Sequence, residues 1–322
     1  MSSRATTAVV VIACVPATFA LALYFGSVDL GLTRWASALV GGGDEIARKI
    51  VWDLRAGRAA AAFACGALLA LSGTLLQVLL RNPLADPGIL GVSGGAAVGA
   101  LAAILLGLPA AAVHGFAFAG ASMAAGLLLL LCARFAAWDM ERVLISGVGL
   151  AALTGAIVSL LLAIAPSMQL QGMLFWLLGD ISAAPPSTPA WIVFAVAIVV
   201  AVAMGNGLDA LALGGDKARS LGVPVTAVQL AAFICAAAST VAAVTLAGTV
   251  GFVGLAAPHM LRLAGIHAHR RLLPLAAAAG GSLVVLADTL GRTIVSPLEL
   301  PAGAMLALLG APLLLVLLYR GR

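Results

Sequence analysis

The sequence predicts an all-α, polytopic membrane protein, and three observations lead there. Hydrophobic residues make up 63% of the 322 residues and charged residues 9%, against roughly 45–50% and about 25% in soluble domains. So few charges could not cover the surface of a soluble globule, and a disordered chain needs the opposite balance. No Asp, Glu, Lys or Arg falls within 87–133, 143–179 or 220–261, and each run has room for roughly two spans of about 20 residues. The apolar residues also come in continuous runs, without the period-2 alternation of ten-residue barrel strands. Only helices and closed barrels satisfy every backbone polar group inside a bilayer, so the spans are helices. The 37 glycines and 5% aromatic content predict close, small-residue packing.

Taken in order, the spans are expected at 6–26, 59–80, 88–106, 113–133, 142–163, 190–204, 225–247, 250–263, 273–290 and 302–318. The first has Arg4 and an Ala20-Leu21-Ala22 that imitates a cleavage site. Its apolar stretch exceeds the 7–15 residues of a signal core, so it reads as a span. About 120 residues remain for connections, too few for a soluble domain, and 1–322 reads as one transmembrane domain.

Ten spans put both termini on one side. With the termini cytoplasmic, only Arg34, Arg48, Lys49, Arg55, Arg58 and Arg292 face outward, and the other eleven of the 17 Lys and Arg lie inside, as the positive-inside bias requires. Five of the six outer cations crowd into 34–58. This cluster suits either a docking surface for an acidic partner or the flanks of an interfacial helix beside Asp44, Glu45 and Asp53.

The inventory of chemistry is short. Cys14, Cys65, Cys132 and Cys235 are scattered through apolar spans and read as small core residues. His267 and His269 sit in a basic stretch with Arg270 and Arg271 and read as a solvated loop; His259 reads as a packing residue. No metal site or catalytic triad is expected. A Walker loop needs Gly-Lys-Ser/Thr, and neither lysine, Lys49 or Lys217, fits, so any ATPase is another chain. Ion-coupled transporters carry ionisable groups at membrane depth; here Asp288 is the main exception.

Several motifs punctuate the spans. In Arg81-Asn82-Pro83-Leu84-Ala85-Asp86-Pro87 two prolines lie four apart, which predicts a rigid, tight connection. Gly91, Gly95 and Gly99 follow on one helix face and permit close approach. Around Asp216, Lys217, Ala218, Arg219 and Leu221 the chain predicts a short cytoplasmic helix over 214–222, with Asp216 as N-cap, Gly222 past its end and Pro224 as stop. Ala218 and Leu221 should share a side. Six to nine residues do not hold a helix alone, so a partner is required. Glycine-loosened segments with proline breaks, Gly251-Phe252-Val253-Gly254-Leu255 with Pro258-His259, and Ala287-Asp288 with Glu299-Leu300-Pro301, complete the set.

Together with the Arg55–Arg58 pair and the run Arg81 to Ser93, these motifs resemble the permeases of type II ABC importers for ferric siderophores, haem and cobalamin, over essentially the whole chain. The resemblance implies a homodimer of ten-helix subunits in the bacterial inner membrane. Two cytoplasmic ATPase subunits would carry ATP and Mg²⁺, a periplasmic substrate-binding protein would dock above, and this chain would hold no cofactor and bind no nucleic acid. It implies a path lined by the fifth and tenth helices, with Arg55, Arg58 and Arg292 docking the binding protein. Asn82 and Leu84 would form the cytoplasmic gate, with a second element near Met140, and 214–222 would be the ATPase coupling helix. Between the arginines stand Ala56-Gly57 where the family usually has Leu-Pro, so a looser turn is expected there. Ferric siderophore is the expected cargo, with haem or cobalamin as alternatives. An ATPase-independent transporter or channel explains the spans but leaves the 214–222 helix and the outer arginines without purpose. A membrane-embedded enzyme lacks convergent catalytic groups.

Overall fold

The computed structural model describes residues 3–42, 44–133, 140–182, 184–296 and 298–320, and every element among them is helical. α1 (Ser3–Tyr24) leads through α2 (Gly31–Leu39) and α3 (Glu45–Lys49) into a π-helical segment, Ile50–Ala56, that continues as α4 (Gly57–Leu79). A 3₁₀ turn, Pro87–Leu90, precedes α5 (Val92–Leu105). There follow α6 (Ala110–Ala133), α7 (Met140–Ile164), α8 (Ser167–Leu177), α9 (Thr188–Ala203), α10 (Gly205–Ala212) and α11 (Gly215–Ser220). The chain ends with α12 (Val225–Ala247), α13 (Val253–Leu263), α14 (His269–Gly291) and α15 (Ala302–Arg320).

Six helices are long and apolar enough to cross a bilayer: α1, the continuous Glu45–Leu79 helix, α6, α7, α12 and α14. The α9–α10 pair, bent by 62°, makes a seventh. α5, α13 and α15 occupy the remaining three expected positions, so the architecture is compatible with ten crossings. At 1.5 Å per residue the 11 residues of α13 reach only about 16 Å. The span expected at 250–263 is therefore half helix, entered through Gly248 and Phe252, both at φ 67°.

α4 is the axle. Nearly all of it from Ala59 to Leu79 is buried, against α14, α12 and α13. Lipid is as apolar as leucine, so helices associate in a membrane by close van der Waals contact between small residues. Gly66 shows why: a Cβ there would stand 2.2 Å from the Gly280 carbonyl oxygen of α14. At Gly73 it would stand 2.0 Å from the Gly254 oxygen of α13. The glycine face expected on α5 is real for Gly95 and Gly99, which lie on the α6 backbone at Gly120 and Phe116. Gly91 instead takes the left-handed conformation, φ 71°, and begins α5.

Three expectations need correction. The helix placed at 59–80 begins at Glu45 and runs 35 residues. No turn, loose or tight, separates Arg55 from Arg58: the π-helical segment passes straight into α4. The run 143–179 holds two helices, as its length allows, but the second, α8, has no counterpart among the ten expected spans. α7 itself shows much of its apolar surface, with Ile145, Val148, Leu153 and Leu160 each more than half exposed.

Candidate functional site

The polar side chains gather at two opposite ends of the apolar bundle. At the first end the last turn of α1, the start of α4 and the end of α14 meet. Arg55 is 4% exposed and donates to the carbonyls of Leu23 (2.9 Å), Tyr24 (2.6 Å) and Val28 (2.5 Å). The last carbonyls of a helix have no partner within it, and a cation there is favoured. Arg55 therefore caps α1. Arg292, also 4% exposed, donates to the Ala22 carbonyl (2.6 Å) of the same turn.

Arg58 turns the other way. Its Nε and Nη2 grip Asp288 of α14 at 2.8–3.0 Å, and Nη1 donates to Glu299 Oε2 at 2.7 Å. In an α-helix residues three apart share a face. The i→i+5 bonding of a π segment widens the turn, which lets Arg55 and Arg58 serve different neighbours. Asp288 is 2% exposed, also lies 3.7 Å from Arg292 Nε, and so sits between two guanidiniums. The three arginines line an open recess of about 240 Å³ together with Ser27, Ser182 and Glu299 among others, and Asp288, Glu299 and Asp29 are the carboxylates that act on them. Arg34, Arg48 and Lys49 nearby are exposed, with Lys49 paired to Glu45.

At the opposite end, the 81–90 segment is held rather than loose. Arg81 takes φ 47°. The Asn82 side chain accepts from the Leu84 N–H (2.9 Å), and Asp86 accepts from the Gly88 N–H (2.9 Å) to start the 3₁₀ turn. Burial pushes the Asp86 carboxyl upward, opposed by that N–H. Asn82 is thus engaged locally, whereas the Leu84 side chain projects, 43% exposed. Beneath the segment, Gln77 of α4 donates to the carbonyls of Gly254 (3.2 Å) and Ala85 (3.4 Å) and accepts from Arg262 of α13. Met140 opens α7, but its side chain lies outside the described residues.

α11 follows α10 at this end. Its N-cap is Gly214, φ 114°, and Asp216 lies inside the first turn, paired with Arg219 at 2.9 Å. Asp216 is therefore not the expected cap. Ala218 is fully buried and Leu221 is 66% exposed, so they do not share a side: α10 and α12 of this same chain cover Ala218. Lys217, Arg219, Leu213 and Leu221 remain at the surface. Gly222 is left-handed, φ 78°, as expected.

Two features escaped the sequence reading. His269 does not lie in a solvated loop; it is 5% exposed, with Nδ1 2.5 Å from Asp209 Oδ1 of α10, which also accepts from the His269 backbone N–H at 3.0 Å. The Gln77–Arg262 bond was also missed. The available signal was a long polar side chain near the end of each of two apolar helices, Gln77 in α4 and Arg262 in α13, since such groups pair within the membrane. Among the described residues no group of three or more His, Cys, Asp or Glu could hold a metal ion.

Among the described residues, apolar helices long enough to span a bilayer with polar clusters at two ends define a polytopic membrane protein. The FecCD transport family model matches residues 13–320, and the chain belongs to that family: it is the transmembrane permease subunit of an ABC importer. It is 38% identical over 280 residues to the vitamin B12 import system permease protein BtuC of Citrobacter koseri, covering 84% of this chain and 83% of that one. It is 37% identical over 289 residues to the uncharacterized ABC transporter permease protein YvrB of Bacillus subtilis, covering 87% and 82%. An inward-facing structure assigned as a metal-chelate type ABC transporter superposes with a TM-score of 0.83 over 98% of this chain and 99% of that one, at 26% identity. PsaBC from Streptococcus pneumoniae, in complex with Fab, shares the fold at a TM-score of 0.54 and 17% identity, covering 84% of this chain and 93% of that one.

Proposed function

We propose that two copies of this chain form the conduit of an ATP-driven importer that moves a metal chelate into the cytoplasm by alternating access. The termini and α11 lie on the cytoplasmic side, and the arginine recess faces out. ATP and Mg²⁺ belong to separate ATPase subunits seated against Lys217, Arg219, Leu213 and Leu221. The observation that carries the reading is the division of charge. Among the described residues Asp288, the carboxylate buried at the end of a span, already sits between Arg58 and Arg292 and so is engaged rather than free to couple ions. The energy must then enter at an end.

The recess at the outer end takes an acidic side chain of a substrate-binding protein. Arg55, Arg58 and Arg292 act there jointly: each holds an internal partner and also lines the recess. Exposed Arg34 and Arg48 steer the approach, since complementary charge raises association rate more than affinity. Leu84, on its rigid segment, closes the cytoplasmic mouth with Met140, and Asn82 fixes the turn that presents it. Path selectivity is low, because α7 and α15 offer apolar surface, and the binding protein chooses the cargo.

Ferric siderophore is the cargo expected from the sequence. A second reading, cobalamin, is favoured by the 38% identity to a vitamin B12 import permease. Uptake by proteoliposomes holding the permease, its ATPase and its binding protein, offered each cargo in turn, separates them. ATP-dependent accumulation of neither cargo would sink both readings, and uptake that needs no ATPase would sink the importer mechanism.

A further inference from the structure

The segment that carries α11 is fastened to a helix that reaches the other end of the molecule. α10 is bent 62° away from α9, so it is a separate short lever. It packs against α11, to which it is joined by Leu213 and Gly214 alone; the Gly214 carbonyl accepts the first bond of α11 from the Ala218 N–H (2.9 Å). α14 has no side-chain cap of its own, since Ala268 occupies that position. The first N–H groups of a helix lack intrahelical partners, and a carboxylate there is favoured. Asp209 of α10 supplies that carboxylate, holding both the backbone N–H and the ring of His269. Beside it, Gly205 lets α10 lie on Arg270: a Cβ at Gly205 would stand 2.4 Å from Arg270 Cγ.

From this joint α14 runs 23 residues, about 35 Å at 1.5 Å per residue, to Asp288 and Arg292 at the recess. Two contacts fasten it to α4. The Gly66–Gly280 contact is backbone on backbone, and Arg58 of α4 clasps Asp288. α4 and α14 are therefore one strut, whose other end holds the 81–90 segment through Gln77. Coupling between distant sites travels through rigid elements that both sites bias.

We propose that Asp209 and His269 are positioning residues: they form the joint through which movement of α11 is transmitted to the α4–α14 strut, and hence to the outer recess. This rests on the reading of α11 as the ATPase contact and of the recess as the docking site. The test uses the complete complex of permease, ATPase and cargo-loaded binding protein in proteoliposomes. Three quantities are measured: basal ATP hydrolysis, its stimulation by binding protein, and binding-protein affinity. In Asp209→Ala and His269→Leu, basal hydrolysis and affinity stay within about two-fold of wild type, while stimulation and uptake fall about ten-fold. His269→Asn, whose side-chain amide can still donate to Asp209, restores most of the coupling. Stimulation within two-fold of wild type in Asp209→Ala overturns the proposal. So does a parallel loss of basal hydrolysis and assembly, which would make the pair a cap and no more, and so does a His269→Asn variant as defective as His269→Leu. If the wild-type permease itself binds no ATPase or binding protein, the underlying reading fails, and that arm is separate from the variants.

Discussion

The two ends of the bundle use arginine in opposite ways. At the recess, Arg55 and Arg292 are 4% exposed and hold the last turn of α1, and Arg58 holds two carboxylates. On α11, the Arg219 side chain is 60% exposed and its partner Asp216 fully so, a kind of pair worth roughly 0–1 kcal/mol. The difference teaches that charge alone does not mark a contact surface. A buried arginine whose guanidinium already holds carbonyls or carboxylates of its own chain shapes the protein first. An exposed one is free to exchange its partner.

That contrast can be broken most forcefully at Arg58. Arg58→Ala leaves Asp288 buried beside Arg292 alone, and stranding one member of a buried pair costs about 3–5 kcal/mol. Thermal unfolding in detergent should show a large loss of stability, with most of it recovered in Arg58→Met combined with Asp288→Asn. A single variant as stable as wild type would show that the recess is not structural. Next comes Gly66→Ala, which pushes a methyl into the Gly280 carbonyl; overpacking of this kind costs about 1–3 kcal/mol. The same assay should show it less stable than Gly57→Ala, where a Cβ meets nothing within 4 Å.

The exposed end should respond through partnership instead. Leu221→Glu is expected to leave unfolding unchanged and to cut ATPase co-purification about ten-fold; normal recovery of the ATPase would remove Leu221 from that contact. Gln77→Leu strands Arg262 and frees the 81–90 segment from α4. It should raise ATP-independent leak of entrapped cargo several-fold, read as efflux from loaded vesicles. The smallest effect is expected for Arg34→Glu with Arg48→Glu. These exposed charges should slow binding-protein association a few-fold at low salt, and the deficit should vanish at high salt, because screening removes steering between exposed charges.

Much of the fold was legible because the bilayer imposes length and apolarity. The bounds of α12 coincide with those read from sequence, 225–247, since Pro224 and Gly248 mark both ends. The long Glu45–Leu79 helix was not legible. Asp53, Arg55 and Arg58 made its first third read as an interfacial connection, and the partners that neutralise Arg58 lie 230 and 241 residues away. α8 was missed because a helix of 11 residues is too short to register as a span. The site was legible as residue identities, while the roles of Asp209, His269, Gln77 and Arg262 depended on contacts between helices that no local pattern announces. Leu221 was placed on the wrong side because a helix ending at Ser220 cannot carry the periodicity one residue further.

The 81–90 segment carries a thermodynamic consequence. Ordering a flexible residue costs about 1–2 kcal/mol of backbone entropy, so a closure made from a floppy loop would lose many kcal/mol each time it shut. Here Pro83 and Pro87, the turns at Asn82 and Asp86, and the Gln77 bond to Ala85 have already removed that freedom. The segment can change place without changing its degree of order. In the gate proposed above, that entropy would not have to be lost again at each closure.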